Sequence, residues 1–296
     1  DGLTAICYGQ FADEKVKVRG EFTACDPYLR FRWNVDGGNW YEVATPAQLW
    51  YISYLVNSGK HDINVRLTTD IDLGGISYFP PIGKQYYPVG PTMCFSGVFD
   101  GQFHVINNLR IEMDDAGAET GLFGRLNGAT IQNVGIVNAT LKNSNALRAG
   151  VLAACAVGST INNCFTAGEI NMEECICSFE RRNGDGLVGL SSSGSVISNS
   201  YTTYGAVPDG VNLLESSVQN SYWAEDVTNM APTGELCYRL NGNQQNILWY
   251  QTIEEDAYPI FDSTHKQVYA IGEIKCDGTV LSDDEVIDGK SERGGY

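Results

Sequence analysis

A short apolar segment carrying an asparagine returns five times along the chain, and this repetition constrains the fold more than any other feature. The five versions are "HVINNLRI", "ATIQNVGI", "STINNCFT", "SVISNSYT" and "SSVQNSYW". The shared asparagines are Asn108, Asn133, Asn163, Asn199 and Asn220, at intervals of 25, 30, 36 and 21 residues. A helical repeat seldom accepts such unequal lengths, whereas stacked strands with loops between them do. The sequence therefore predicts a repeat built from strands.

An isoleucine or valine stands two residues before each asparagine, and a piece such as "GLFG" or "GLVG" often lies upstream. No single segment of this kind buries its own apolar face, but parallel stacking at about 4.8 Å buries a continuous column. The pattern predicts an all-β fold, a right-handed parallel β-helix (solenoid), and the hand follows from the general chirality of parallel crossovers. The column is expected to contain Ile106, Ile131, Ile161, Ile197 and Val218.

The repeated asparagine has a physical explanation in this fold. A tight bend between two strands places one residue in the left-handed region of backbone space, which asparagine tolerates better than other non-glycine residues. Asparagine amides in successive strands also hydrogen-bond to one another along a stack. The five asparagines are therefore expected to form one structural ladder.

The flanks of the repeat predict caps. Residues 45–58 read as a helix with Thr45 as N-cap, Pro46 in its first turn, Gln48 completing a capping box and Gly59 ending it. We expect this helix to cover the N-terminal end of the solenoid, because an open end exposes apolar core and unpaired strand edges. A second short helix in "TGELCYRLNG" and the aromatic residues after it predict a small C-terminal cap.

Three regions follow from these assignments. Residues 1–40 contain alternating segments and form an N-terminal β segment. Residues 41–270 form the β-helix domain with its caps, and its repeat core spans about 95–225. Residues 271–296 form a polar C-terminal tail.

The segments resemble GLUG-type repeats of bacterial cell-surface and secreted proteins. The matching pieces are "FSGVFDGQFHVINNLRI", "GLFGRLNGATIQNVGI", "DGLVGLSSSGSVISNSYT" and "SSVQNSYW". Flanking pieces such as "YEVATPAQLWYIS" and "NVRLTTDIDLGG" extend the resemblance over roughly residues 41–270. The resemblance implies the β-helix architecture and a role in adhesion, and it implies no particular activity.

Charge and composition limit the partners. A net charge of −17 repels phosphate backbones and anionic membranes, which argues against nucleic acid as a partner. No apolar run is long enough to cross a bilayer, so membrane insertion is not expected. The chain begins at Asp1 without an initiator methionine, and we expect a processed or excised piece of a larger chain, or a monomer. The nine cysteines match no metal signature. Most are interpreted as buried free thiols, although a Cys7–Cys25 disulfide stays open.

Two loops are candidate binding sites. The first, "ISYFPPIGKQYYPVG" at 76–90, offers aromatic faces for stacking on sugars, although the same side chains would also pack against the cap helix; its residues are Tyr78, Phe79, Tyr86 and Tyr87. The second, the 171–185 insertion, combines carboxylates and arginines and would wall a groove, unless it is a solvated hairpin; its residues are Glu180, Arg181, Arg182 and Asp185.

The sequence contains no strong catalytic, metal or cofactor constellation, so none is assigned. His61, His104 and His265 match no triad or metal spacing, and His104 is expected to be structural. Asp70 and Asp72 would suit calcium, but a turn role is the preferred interpretation.

These observations favour a non-catalytic, extracellular or cell-surface repeat module for adhesion, with a glycan or a host or surface protein bound along the solenoid flank. A spacer without a ligand is a variant of this reading. The alternative is a polysaccharide lyase or glycoside hydrolase that acts on acidic glycans in a groove walled by the 171–185 loop, a hypothesis that rests on analogy of fold.

Overall fold

The computed structural model describes six stretches of the chain: residues 40–84, 93–113, 118–172, 185–205, 216–242 and 244–269. Outside these stretches, only the backbones of some strands are assigned. Two compact units are present, 1–227 and 228–296, and each is described by itself. All the assigned strands belong to the first unit.

The assigned part of the chain consists of many strands and a few short helices. The strands before the repeats are β1 Ala5–Phe11, β2 Glu14–Gly20, β3 Arg30–Trp33, β4 Asn39–Val43, β5 Asn64–Leu67 and β6 Ile71–Asp72. The strands from there to residue 177 are β7 Val98–Glu112, β8 Glu119–Thr120, β9 Phe123–Asn127, β10 Thr130–Ala146, β11 Arg148–Ala149, β12 Ala153–Val157, β13 Thr160–Asn171 and β14 Cys175–Cys177. The last strands are β15 Val188–Ser192, β16 Val196–Ser198, β17 Tyr201–Thr202, β18 Leu213–Leu214 and β19 Ser217–Gln219. The helices are α1 Pro46–Asn57, α2 Ala224–Met230, a 3-10 turn Ala231–Thr233 and α3 Glu235–Asn241.

The fold is all-β, with mainly parallel sheets. The largest sheet has the order β19-β16-β13-β10-β7-β5-β4-β3, and a second runs β18-β15-β12-β9. A two-stranded parallel sheet joins β11 and β8. Only the β1–β2 and β3–β4 pairs are antiparallel among the assigned strands. We call each of the parallel strands β7, β10, β13, β16 and β19 of the largest sheet a rung.

The apolar column predicted from the repeat is present in four rungs. Ile131 lies opposite Ile161, Ile161 opposite Ile197, and Ile197 opposite Val218. The three isoleucines are completely buried. Alternate residues of a strand point to opposite faces, so the neighbours Thr160 and Asn162 point away from this column.

The prediction for the first repeat was wrong in register. Phe99, not Ile106, lies opposite Ile131, and Ile106 lies opposite Ile136 farther along the same rung. The cause is a register shift at residues 101–103, where β7 has three residues opposite the single Asn133. Gln102 and Phe103 of this insertion both have positive φ.

Each rung therefore contains up to two bends, and the asparagines divide between them. We call the bend at Asn133, Asn163, Asn199 and Asn220 the first bend, and the bend at Asn108, Asn138 and Gly168 the second bend. The φ angles of the five anchor asparagines lie between 47° and 58°, in the left-handed region that the sequence argument required. Asn108 does not belong to the ladder that was predicted for it.

In the first bend, each asparagine amide nitrogen donates to an oxygen of the preceding rung. The contacts are Asn133 to Asp100, Asn163 to Asn133, Asn199 to Asn162 and Asn220 to Asn199, at 2.8–3.2 Å. The ladder is therefore not continuous, because Asn199 donates to Asn162 rather than to Asn163. This offset leaves the buried Oδ1 of Asn163 without a hydrogen bond among the described residues.

Serine hydroxyls satisfy buried backbone amides in the turns that precede β10 and β13 and beside the first bend. Ser159 Oγ accepts from the amide of Ala129, and Ser195 Oγ accepts from the amide of Ser159, both at 3.1 Å. Ser200 Oγ accepts in the same way from Cys164, at 3.0 Å. A buried amide without a partner is costly, so the Ser159 and Ser195 contacts stabilise the turns between one sheet and the next, and the Ser200 contact stabilises the first bend.

The helix predicted at 45–58 is confirmed as α1, Pro46–Asn57. Thr45 and Gln48 form the capping box, with Gln48 N donating to Thr45 Oγ1 at 3.2 Å. One face of the helix is completely buried, through Leu49, Ile52 and Val56. This face joins the core that continues through the rungs.

The second unit has its own small core. Leu236 and Leu240 of α3 are buried, and the Trp249 and Phe261 rings lie 4.4 Å apart. Asn241 holds this core through hydrogen bonds to the backbone of Trp249.

The described cysteines are free thiols. Cys155 and Cys164 are buried, as expected, and so is Cys237, while Cys94 is half-buried. Burial raises the pKa of Cys164 to about 12, which makes it an unreactive core residue. The Cys7–Cys25 pairing lies outside the described residues.

Candidate functional site

A groove of about 390 Å³ opens beside α1, in the first unit. Its walls come from the helix, from the loop at 78–84 and from the end of β7. The lining side chains that bear on its chemistry are Trp50, Asn57, Tyr78, Lys84, Glu112 and Met113. The groove thus combines two aromatic rings with an amide and charges of both signs.

Hydrogen bonds fix the loop against the helix. Ser53 Oγ donates to the carbonyl oxygens of Pro80 and Pro81, at 2.8 and 2.9 Å. Asn57 Nδ2 also donates to the Pro81 carbonyl, at 2.9 Å. Because proline has no backbone N–H, these carbonyls are the groups through which this dipeptide is tied down. The floor of the groove is consequently a preformed surface.

Tyr78 presents its ring to solvent with 52% of the residue exposed. The Arg110 guanidinium carbon lies 5.7 Å from the centre of this ring, within the range of a cation–π contact. Arg110 also reaches Glu112, with 3.4 Å between Nη2 and Oε2. Arg110 therefore helps to orient the Tyr78 ring, and the Arg110–Glu112 pair makes the surface beside the ring polar.

The other aromatic residues predicted for this site have different outcomes. Phe79 is only 2% exposed, so the prediction of a ligand-stacking ring was wrong; it belongs to the same buried cluster as the apolar face of the cap helix, which fits the alternative of packing against that helix. Its backbone amide donates to the Arg110 carbonyl at 2.7 Å, which fixes the loop against β7. Tyr86 and Tyr87 lie outside the described residues.

Five of the six groove residues named above were missed by sequence reasoning, which had singled out only Tyr78. Trp50 was assigned to the cap helix only as part of its length, and Met113 was not considered. The helical spacing contained a signal for Trp50, because it lies beside the Leu49–Ile52–Val56 face, at the edge of the core, where its side chain is half-buried.

The second predicted site is described only in part. Glu180, Arg181 and Arg182 lie outside the described residues. Asp185 accepts a hydrogen bond from the Leu187 amide at 2.8 Å and from the Trp223 indole Nε1 at 3.3 Å. Desolvation by the packing around its carboxyl group raises the pKa of Asp185 to about 7.

Asp70 and Asp72 make turn-type contacts. Asp70 Oδ1 accepts from the Val105 amide at 2.9 Å and lies 3.2 Å from His104 Nδ1. Asp72 Oδ1 accepts from the Gly74 amide and from Asn108 Nδ2, and these bonds lower the pKa of Asp72. In the described part of the chain, no three metal-ligating side chains come together.

A buried ionic cluster lies in the interior between β8, β9 and β11. Glu119 is completely buried and accepts from Arg125 Nη1 at 2.6 Å and from Arg148 Nη1 at 3.5 Å. Desolvation raises the pKa of Glu119, and the two arginines oppose that change. Because the carboxylate is inaccessible, the cluster ties strands together rather than offering a site to substrate.

Comparisons with known proteins give limited similarity. No family model matches the chain. A segment of 170 residues is 31% identical to halomucin from Haloquadratum walsbyi; it covers 54% of this chain but only 2% of halomucin. The crystal structure of a proposed immunoglobulin A1 protease from Bacteroides ovatus is 17% identical, with a TM-score of 0.47 over 77% of this chain and 93% of that one. In the stretches that the structure describes, every helix is too short or too polar to cross a bilayer.

Proposed function

We propose that this chain is a non-catalytic module of a secreted or cell-surface protein that binds carbohydrate in the groove beside α1. Its architecture would be a right-handed parallel β-helix of GLUG-type repeats. The observation that carries the binding proposal is the exposed Tyr78 ring in a preformed groove that it shares with Trp50.

The in-register pairing supports the architecture. Three separate sheets take strands from successive repeats in parallel, as a coil with three sides requires. β9, β12 and β15 pair on one side, while β10, β13 and β16 pair on another.

Two observations support a place outside the cell. One is the sequence similarity to halomucin, whose name is that of a mucin. The other is the net charge of −17, which keeps a protein soluble and apart from anionic surfaces.

The chemistry of the groove suits a sugar. Aromatic rings supply a large contact area for the apolar face of a pyranose, at a small cost in side-chain entropy. Lys84 and Glu112 place charges of both signs around that area, and these groups suit hydroxyls and carboxylates. A groove with an apolar surface and a few polar groups is the usual form of a small-ligand site.

A glycan array followed by calorimetry of the full chain tests the proposal. Tyr78→Ala and Trp50→Ala should each weaken binding by about tenfold, since losing one aromatic contact costs roughly 1.4 kcal/mol. Tyr54→Ala is the matched control: Tyr54 is 42% exposed on the same helix, stacks on Tyr51 and does not line the groove. Absence of glycan binding, or equal losses in all three variants, would contradict the proposal.

One observation supports the enzymatic alternative. A carboxyl group with a pKa near 7, such as Asp185, suits a general acid. Hydrolysis or elimination also needs a second group, and burial, not a neighbouring carboxylate, is the main cause of the shift at Asp185. Mass spectrometry of acidic polysaccharides incubated with the protein separates the two functions. Shortened products that disappear with Asp185→Asn would favour the enzyme.

A further inference from the structure

The sequence Asn138-Ala139-Thr140 is the single Asn-x-Ser/Thr triplet in the 296 residues. This triplet is the acceptor signal for N-glycosylation, and it functions only where the asparagine amide is accessible on a secreted protein. Many such triplets arise by chance, so the geometry of the side chain decides whether this one has meaning.

Asn138 occupies the second bend, with a φ of 59°. Its Oδ1 accepts a hydrogen bond from the Glu169 backbone amide in the next rung, at 2.9 Å. A backbone N–H is only a donor, so this contact fixes which end of the Asn138 amide faces the rung. Gly168 allows the close approach, because a Cβ there would lie 2.4 Å from Asn138 Oδ1. The amide nitrogen is thereby directed away from the Glu169 contact.

The five anchor asparagines use their amides in the opposite sense. Each donates its Nδ2 to an oxygen of another rung or of β6: Asn108 to Asp72, Asn133 to Asp100, Asn163 to Asn133, Asn199 to Asn162 and Asn220 to Asn199. Among the described left-handed asparagines, Asn138 is the one whose Nδ2 makes no hydrogen bond. It is also the one inside the triplet, and both Asn138 and Thr140 are half-exposed.

We propose that Asn138 is a site of N-linked glycosylation. In this reaction the Asn138 Nδ2 forms a bond to C1 of a sugar and loses one proton. The bond between C1 and the phosphate oxygen of a lipid-linked oligosaccharide diphosphate breaks, and the lipid diphosphate leaves. An oligosaccharyltransferase of the secretory route is the catalyst. The Asn138–Glu169 hydrogen bond survives, since it uses only Oδ1.

The direct test is mass spectrometry of the protein isolated from the cells that produce it. Trypsin cleavage after Arg125 and Lys142 yields the peptide 126–142. We expect this peptide to carry a hexose-containing mass on Asn138, localised by electron-transfer fragmentation. An unmodified peptide from protein found outside the cell would overturn this inference and leave the proposed function standing. Protein found only inside the cell would instead contradict the proposed secretion, on which the inference rests.

A matched variant tests the structural argument in a secreting host that glycosylates. Arg110→Thr turns the segment Asn108-Leu109-Arg110 into a second acceptor triplet on the neighbouring rung, where position 110 lies directly opposite Thr140. A glycan at Asn108 replaces one Nδ2 hydrogen and crowds the contact with Asp72, so it should lower the Tm relative to the same variant made in a host without an oligosaccharyltransferase, whereas a glycan at Asn138 should not. Thr140→Ala should abolish modification of Asn138, and Thr140→Ser should retain it. A Tm loss on glycosylation of Asn138 as large as that at Asn108, or modification that persists in Thr140→Ala, would contradict the inference.

Discussion

The rungs β10, β13, β16 and β19 differ from the rung β7 that precedes them. In the later rungs an isoleucine or valine column runs in register and the first-bend asparagines follow it at a fixed distance. In β7 the same column position is filled by Phe99, and three residues at 101–103 replace the single asparagine of the bend. Asp100 then accepts the Asn133 amide at 3.1 Å, in the place of an asparagine.

The difference shows what a bend of this kind requires. A residue with positive φ and an oxygen acceptor facing the next rung are needed, and more than one sequence supplies them. Gln102, at φ 50°, provides the positive φ in β7, and Asp100 provides the acceptor. In β10, β13 and the later rungs, asparagines supply both the positive φ and the acceptor. In β7, two different residues, Gln102 and Asp100, supply them.

The largest expected effect is on the buried column. Ile161→Ala should lower the free energy of unfolding by about 2–5 kcal/mol, because it removes buried methyl groups and leaves a cavity. Thr160→Ala, on the same strand but exposed, should change it by less than about 0.5 kcal/mol. Urea denaturation measures both values. Equal losses would mean that the two residues do not occupy opposite faces of the rung.

The next effect separates the two bends. Asn163→Ala should cost about 2 kcal/mol, since alanine tolerates positive φ poorly and the amide contact to Asn133 is lost. Asn163→Gly should cost about 1 kcal/mol, because glycine adopts this conformation without strain. Asn108→Gly should cost only a few tenths of a kcal/mol, since Asn108 is exposed.

Denaturation of the glycine pair isolates the contribution of the amide contact, because both variants keep the backbone unstrained. If Asn108→Gly were as costly as Asn163→Gly, burial would not distinguish the two bends.

A smaller effect tests the register of the entry rung. Ile106 lies opposite Ile136, so a double-mutant cycle with alanine at both positions should show a coupling of about 0.5 kcal/mol or more. The corresponding cycle for Ile106 and Ile131 should be additive to within about 0.3 kcal/mol. Coupling between Ile106 and Ile131 instead would contradict this register and support the one expected from the sequence.

The smallest effect lies outside the rungs, in the unit 228–296. His265 Nδ1 lies 2.7 Å from Asp256 Oδ2, and this hydrogen bond raises the pKa of His265. The stabilisation is fully present below the ordinary pKa of about 6.5 and is lost as the pH rises through the higher folded value. The wild-type Tm, relative to His265→Gln, should fall slightly between pH 5 and 8, and salt should reduce the difference. A pH-independent difference would contradict this assignment.

The sequence predicted those features that are fixed by contacts within a few residues or by a residue type repeated at each rung. The capping box of Thr45 and Gln48 predicted α1 because its two hydrogen bonds are made within four residues. The column of Ile131, Ile161 and Ile197 was predictable because burial forces the same residue type at each rung.

Register and loops were not predictable in the same way. "VINN" in β7 matches either bend by letter, and only pairing across rungs shows that Asn108 belongs to the second. Aromatic composition did not distinguish the buried Phe79 from the exposed Tyr78, because the difference depends on how Pro80 and Pro81 are tied to α1. The amide orientation at Asn138 depends on a contact 31 residues away.

Methyl nuclear Overhauser spectroscopy tests the central claim of in-register stacking most directly. The account predicts contacts between successive members of the column only: Ile131 with Ile161, Ile161 with Ile197, and Ile197 with Val218. Ile131 and Ile197, two rungs apart at about 10 Å, should show none. Missing contacts between successive members, or a direct contact between Ile131 and Ile197, would contradict the stack.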